Sequence, residues 1–316
     1  GIQIDIDIKK IQKPFLKWVG GKTQIINQII KKIPMCFNNY HEIFLGGGSV
    51  LFATLSMVKY NNIKILGKIY AYDINNDLIN VYKQIQNNKD SVFEFIQRYI
   101  TEYDRCEPLK VKTDVNRNPL TIEEATAFKE NYYYWMRKKF NNNNIKNTSE
   151  HAALFIVINK TTFRGMYREG PNGFNVPYGN YKTTPTMMNK EELNYISELI
   201  KDVEFKCCNF EESFKNIQKN DYVYLDPPYA PENDTSFVGY NASGFNKEQH
   251  IKLFKIIKDT FGKNNCKKFC MSNANVKFVT DAFKDYNIDY INCKRSINSK
   301  KPQSTTTEVL IMSLMN

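Results

Sequence analysis

The chain has 316 residues, 42% of them hydrophobic and 14% aromatic, enough for one large domain or one domain carrying an insertion, and too apolar for a disordered chain. No apolar run is long enough to span a membrane as a helix, and the first residues lack a signal-peptide pattern. Lys and Arg number 44 against 33 Asp and Glu, and the net charge of +11 suits a polyanionic partner, although lysines are spread throughout and many serve as solvated surface. Seven cysteines with no Cys-x-x-Cys pair, and only three histidines, read as reduced thiols in an intracellular protein with no metal site. Cys207-Cys208 sit in an apolar segment and are expected in the core.

Phe15 to Lys22 comes first, where apolar residues lead into Gly20-Gly21 and then a helical pattern from Thr23 to Lys32. Glycines before a helix start make an anion-friendly loop, and the spacing excludes a Walker loop. Ile43-Phe44-Leu45 reads as a strand, Gly46-Gly47-Gly48 as a turn, and Ser49 to about Tyr60 as a helix. Strand, glycine turn and helix open a nucleotide-binding βαβ unit, and Leu51 breaks the dinucleotide spacing, which argues against NAD. Lys68 to Tyr72 reads as a second strand ending at Asp73, placed to accept from ribose hydroxyls. Asp73 could instead cap the helix from Asn75 to Gln86, as could Asn76 or Asp77.

From 91 to 199 the pattern turns helical and charged, over Val92–Tyr103, Ile122–Phe140 and Glu150–Asn159, with Asn141 to Asn144 a low-complexity loop. Two short aromatic-rich strands then flank Gly170-Pro171-Asn172-Gly173, a hairpin signal. Arg164, Arg168 and Asn175 lie on this ribbon, which suits a DNA major groove, with Arg able to read guanine and Asn adenine. A surface hairpin with ordinary aromatic packing is the plainer reading of the same residues. Asn189 opens a capped helix with Glu192 three residues on, Val203–Cys208 is a strand, and Glu211–Gln218 is a helix.

Tyr222-Val223-Tyr224-Leu225 is a short buried strand, and Asp226-Pro227-Pro228-Tyr229 stops it, because two prolines forbid a continued strand or an immediate helix. The corner offers a carboxylate (Asp226), a backbone carbonyl (Pro227) and an aromatic face (Tyr229), which suit a flat heterocycle bearing an exocyclic NH2. Ala230 to Phe245 is long enough to be a lid. A helix capped by Asn246 runs to Phe261. A strand Lys268–Met271 ends in Ser272-Asn273, and a helix follows over Val276–Phe283. Two last strands, Ile288–Cys293 and Thr307–Leu314, bracket a basic link from Lys294-Arg295 to Lys300-Lys301. The pattern predicts an α/β fold with 1–90 and 200–316 as the core domain and 91–199 as an insert.

Taken in order, six segments resemble the Dam-like (D12, α-order) N6-adenine DNA methyltransferases: Phe15 to Lys22, Phe44 to Ser49, Asp73-Ile74-Asn75, Phe174 to Gly179, Asp226 to Tyr229, and Ser272-Asn273. The resemblance covers most of the chain and implies a Rossmann-like S-adenosylmethionine-dependent methyltransferase core with a helical, hairpin-bearing target-recognition insert. It implies that Trp18, Lys22, Phe44, Gly46, Gly48, Asp73 and Asp226 bind S-adenosylmethionine. Asp226, Pro227 and Tyr229 would act on a flipped adenine, and Arg164, Arg168 and Asn175 would contact duplex DNA. An intracellular monomer or dimer is implied, in bacterial cytoplasm or wherever viral DNA resides, with a cognate restriction endonuclease as a partner such enzymes can have.

The chain departs from the family at two places. The common Asn-Gly-Leu-Tyr-Arg appears as Arg164-Gly165-Met166-Tyr167-Arg168, which argues against a GATC target and is similar to restriction-modification methylases of targets such as CATG. Asn209-Phe210 stands where the family usually has Asp-Phe near the cofactor's adenine, and Asn keeps hydrogen-bonding capacity there. Cytosine or protein-amide methylation is disfavoured by an acid at 226. A catalytically dead DNA-binding protein is disfavoured by intact Asp226, Gly46 and Lys22.

Overall fold

The computed structural model describes residues 6–233, 237, 244–262, 266–294 and 305–314. Much of the expected lid over 230–245, most of the basic link, and the first five residues lie outside the described residues. The chain divides into two compact units, one made of Gly1–Lys13, Gly20–Ile74 and Asp202–Asn316, the other of Pro14–Val19 and Asn75–Lys201.

The first unit is built on seven strands: β1 (Tyr40–Ile43), β2 (Ile69–Asp73), β3 (Val203–Cys207), β4 (Tyr222–Leu225), β5 (Lys268–Ala274), β6 (Asn287–Lys294) and β7 (Thr305–Met312). Their order is β3-β2-β1-β4-β5-β7-β6. β1 to β5 run parallel, and β7 is antiparallel to both β5 and β6. The chain adds β2 and β3 on one side of β1, then β4 and β5 on the other. The reversal therefore falls between β1 and β4, where a doubly wound sheet leaves its ligand crevice.

All four residues of β4 are buried, as a strand covered on both faces requires. Side chains alternate along it. Val223 and Leu225 join Ile43, Met271, Val309, Phe254 and Phe261 in one apolar cluster. Tyr222 and Tyr224 take the other face, with Tyr40 of β1 stacked on Tyr222 at 6.4 Å. Full burial of Val223 and Leu225 stabilises the fold by about 1.5–3 kcal/mol each. Helix α1 (Ser49–Lys59) follows β1 directly.

The second unit is mainly helical. Its longest element, α2 (Asn76–Arg105), has 30 residues and a kink at Asn88, where φ is −141°. The sequence suggests a break there, between a core helix and an insert helix. Asn88 is non-helical, so the span is two helices meeting at that kink, and the compact units divide between Ile74 and Asn75. α2 packs along α4 (Ser149–Thr161). The expected helix over Ile122–Phe140 is interrupted, because Phe128 is extended, and α3 begins at Lys129 and ends at Phe140. The Lys129 ammonium donates to the carbonyls of Tyr103, Asp104 and Cys106 at the end of α2, where helix carbonyls lack partners and the dipole favours a cation. The hairpin is present as two residue pairs, Glu169 with Phe174 and Gly170 with Gly173. Asn189 caps α5 (Lys190–Leu199) by accepting from Glu192 N–H at 2.8 Å.

Two smaller expectations are corrected. The helix expected from Thr23 to Lys32 is only Ile26–Ile30, so Gly20-Gly21 does not open a helix and the anion-loop reading loses its dipole. Cys207 is exposed and Cys208 only half-buried at the end of β3, where the strand leaves the sheet; Cys207 Sγ bonds to the Ile74 carbonyl at 3.4 Å. No helix among the described residues is long and apolar enough to cross a membrane.

Candidate active site

The turn after β1 is built from three residues with positive φ, Phe44 (67°), Gly46 (54°) and Gly48 (78°). A non-glycine residue in that region costs about 1–2 kcal/mol, so Phe44 must be held. Its ring lies 5.9 Å from both Phe210 and Phe245, and the next residue, Leu45, donates its N–H to the Tyr72 carbonyl of β2 at 2.8 Å. β1 accordingly ends at Ile43, earlier than its apolar run suggests. Gly46 N–H donates to Asp73 Oδ2 at 2.9 Å, tying the turn to the end of β2. Asn75, not Asp73, caps α2, by accepting from Leu78 N–H at 3.1 Å. Gly48 is the N-cap of α1 and makes no side-chain cap bond.

Asp226 follows β4, the strand beside β1, and its N–H donates to the Ile43 carbonyl at 3.2 Å. The Lys22 ammonium lies 2.9 Å from Asp226 Oδ1 and 2.9 Å from the Tyr229 hydroxyl. Ser272 Oγ, at the end of β5, donates to the same Oδ1 at 3.2 Å and meets the Tyr224 hydroxyl at 2.5 Å. Among the described residues no hydrogen bond falls on Oδ2. The Tyr229 hydroxyl donates to Glu308 of β7 at 3.3 Å. Asn273 Oδ1 accepts from the N–H groups of Ala230 and Ala274, anchoring the chain just past the corner. The Lys22 side chain is 4% exposed and that of Asp226 23%, so the carboxylate is the member of the pair that solvent reaches.

Burial pushes the Asp226 carboxyl above the usual carboxylate range, Lys22 and Ser272 pull it down, and Glu308 pushes it up. A second acid lies on the same face. Glu42, in the middle of β1, is 2% exposed and in register with Tyr224. It accepts from the Tyr40 hydroxyl at 2.6 Å and from Leu51 N–H in the first turn of α1. Burial raises its pKa to about 8, with the Asp226 charge adding to the shift. Glu42 is therefore a neutral acid at pH 7 and adds no buried negative charge beneath Asp226.

Phe44, Gly46, Gly48, Asp73, Lys22, Asp226, Pro227 and Tyr229 all belong to the first unit, and the turn after β1 and the corner after β4 stand on adjacent strands. Trp18 belongs to the second unit, where its ring packs against Phe155 at 6.0 Å and Tyr167 at 5.5 Å. Asn209 is the N-cap of α6 (Phe210–Phe214), so its Oδ1 is taken by Glu212 N–H. Glu42 and Glu308 went unnoticed in the sequence. A Glu inside the apolar run Tyr40 to Leu45 is a signal of a buried acid; Glu308 has no local signal.

In the second unit Arg168 and Asn175 face each other across the hairpin. Arg168 Nε donates to Asn175 Oδ1 at 2.7 Å and Nη2 donates to the Asn175 carbonyl at 3.1 Å. A Cβ on Gly170 would fall 2.5 Å from Asn175 Nδ2, so a larger residue there would displace that amide. Arg164 is exposed, at φ 53°, with its guanidinium over the Phe163 ring at 4.9 Å.

The profile of the D12 class N6 adenine-specific DNA methyltransferases matches residues 18–297. The chain is 34% identical to the Type II methyltransferase M.MjaIII of Methanocaldococcus jannaschii, over 95% of this chain and 98% of that one. It is 30% identical to a DNA adenine methylase of Haemophilus influenzae, over 95% and 92%. It is 29% identical to the Type II methyltransferase M1.LlaDCHI of Lactococcus lactis subsp. cremoris, over 96% of each. With a parallel sheet that reverses between β1 and β4, an acidic Pro-Pro-Tyr corner at that reversal, and a match along nearly its whole length, this chain belongs to the D12 class N6 adenine-specific DNA methyltransferase family.

Proposed function

We propose that the chain methylates N6 of adenine within a short duplex DNA sequence, with S-adenosylmethionine as donor and with the target base turned out of the helix. The observation that carries this reading is the Asp226 carboxylate, which keeps one oxygen fixed by Lys22 and Ser272 and presents the other at the sheet's reversal point. The residues present fit the donor. The turn at Gly46 and Gly48 lets a ligand lie against backbone, and Asp73 stands at that turn to accept from ribose hydroxyls. Phe44 and Phe210 offer rings beside it. Asp226 and Glu308 against one ammonium leave a net negative corner that suits a cation. The family resemblance adds Trp18 and Lys22 to this set. When bound, S-adenosylmethionine supplies an electrophilic methyl group on a cationic sulfur.

The chain's own groups prepare the acceptor. Extruding the base costs a few kcal/mol, and stacking on Tyr229 returns about 1–3 kcal/mol. Asp226 Oδ2 and the Pro227 carbonyl accept the two N6 hydrogens, which turns the amine lone pair out of ring conjugation. Taking up the methyl group, with the C–S electron pair left on sulfur, would make N6 cationic, and that nitrogen would then lose one proton toward Asp226 and on to water. No covalent enzyme adduct is needed; catalysis is positioning and electrostatics. The second unit supplies target recognition, with Arg168 reading a base edge while Asn175 sets the plane of its guanidinium. That use of Asn175 replaces a direct reading of adenine, since its Oδ1 is already engaged.

The test is incubation of unmodified genomic DNA with S-adenosylmethionine, followed by nucleoside mass spectrometry and modification mapping. N6-methyladenine at one short motif is the expected result. Bound cofactor without any methylated base would refute the DNA substrate.

A further inference from the structure

Within the proposed reaction, we infer that Lys22 is the positioning residue of the acceptor corner: its ammonium holds Asp226 Oδ1 and the Tyr229 hydroxyl together and keeps the carboxylate ionised, rather than serving as a cofactor ligand. Three observations carry this. The ammonium is 2.9 Å from each of its two partners, so a single group sets both the hydrogen-bond acceptor and the stacking ring. Its side chain is sealed at 4% exposure, whereas that of Asp226 is open at 23%. A ligand therefore meets the carboxylate, and the lysine stays behind it. Ser272 also bonds to Oδ1, so both fixed contacts converge on one oxygen and the other remains for the amine.

The charges around Asp226 make the ammonium necessary. Lys22 approaches from the loop before the first helix and Glu308 from β7. Tyr229 follows from the corner itself, Tyr224 lies on β4, and Glu42 on β1. Glu308 opposes ionisation, Glu42 does so once it titrates, and neither tyrosine supplies positive charge. Lys22 is the one cation that Asp226 bonds to among the described residues. Its removal leaves burial and Glu308 acting together to protonate the carboxylate, and a protonated Asp226 loses much of its power to accept from N6.

The experiment is Lys22→Met, which keeps the apolar stem, compared with wild type. Single-turnover methyl transfer is followed from pH 5.5 to 9 with tritiated S-adenosylmethionine and unmethylated genomic DNA. The acid limb of the rate profile is expected to move up by about one pH unit or more, as loss of an opposite charge at this distance implies, with recovery toward high pH. The dependence on S-adenosylmethionine concentration should change by less than about threefold, within the scatter of a residue that does not touch it. A limb that stays in place while the cofactor requirement rises tenfold would make Lys22 a cofactor ligand and overturn the inference. A wild type that forms no N6-methyladenine fails the functional reading itself, whereas an active wild type with an unmoved variant fails only this one. Thermal unfolding reads the ion pair without turnover, through Lys22→Met, Asp226→Asn and the double variant. The double variant is expected to unfold at a higher temperature than Lys22→Met, because no unpaired carboxylate is left buried; additive losses would overturn the pairing.

Discussion

Glu42 offers a test of the site's electrostatics that needs neither DNA nor cofactor. Its carboxyl is buried in β1 with a pKa of about 8, against 4.5 for an exposed glutamate. Between those two values the folded chain keeps a proton that the unfolded chain has released. The unfolded state binds fewer protons, so stability falls as pH rises, by about 1.4 kcal/mol per pH unit from this group alone. The loss levels off about one unit above pH 8 at about 5 kcal/mol, and about 2 kcal/mol of it falls between pH 6 and 8, because the group is half-ionised at its pKa. Glu42→Gln keeps the acceptor for the Tyr40 hydroxyl and Leu51 N–H but cannot ionise. Urea unfolding of both proteins at a series of pH values cancels every other titrating group. Wild type should lose about 2 kcal/mol relative to the variant between pH 6 and 8. Parallel curves would show that Glu42 ionises normally in the fold, and the account of a neutral acid beneath Asp226 would be refuted.

Asp226→Asn keeps the corner's shape but can turn an NH2 toward the amine, and the methylation rate measured by nucleoside mass spectrometry should fall by about 10²–10³; a wild-type rate would remove Asp226 from the mechanism. Gly48→Ala places a Cβ at φ 78° and should destabilise the fold by about 1–2 kcal/mol in thermal unfolding while weakening S-adenosylmethionine in a direct titration; an unchanged protein on both counts would show that the turn relaxes freely. Arg168→Ala should cost about 1–3 kcal/mol of affinity for the cognate sequence and relax specificity at one position, whereas uniform weakening on all sequences in a binding panel would make it a phosphate contact.

What the sequence revealed of the fold was local in origin. A β-branched and aromatic run closed by two prolines identifies β4 and its corner, because proline forbids continuation whatever the surroundings. Asn189 and Asn246 identify helix starts because the capping bond closes within three residues, and both make it. The misreadings arose where distant packing decides. The span Ile122–Phe140 reads as one helix, yet Phe128 is extended and α3 starts afresh at Lys129, whose ammonium is held by carbonyls at the end of α2. Asn141 looks like low complexity, yet its amide accepts from Phe174 N–H and donates to the Phe174 carbonyl, both at 2.9 Å, like an added strand for the hairpin. Nothing in the run of four asparagines announces that partner.

The site divides in the same way. Motifs name Asp226, Gly46, Asp73 and Lys22, but not the bonds among them, because those bonds join segments far apart in the chain. Lys22 reads as part of an anion-friendly glycine loop, and the structure adds that its ammonium lies 2.9 Å from both Asp226 Oδ1 and the Tyr229 hydroxyl. Arg168 and Asn175 read as two separate groups for contacting DNA, and the hairpin joins them, the amide oxygen accepting from the guanidinium. In each pair one side chain orients the other: the Lys22 ammonium holds Asp226, and the Asn175 amide holds Arg168. A fixed charge discriminates between ligands by position, while a mobile one would attract either.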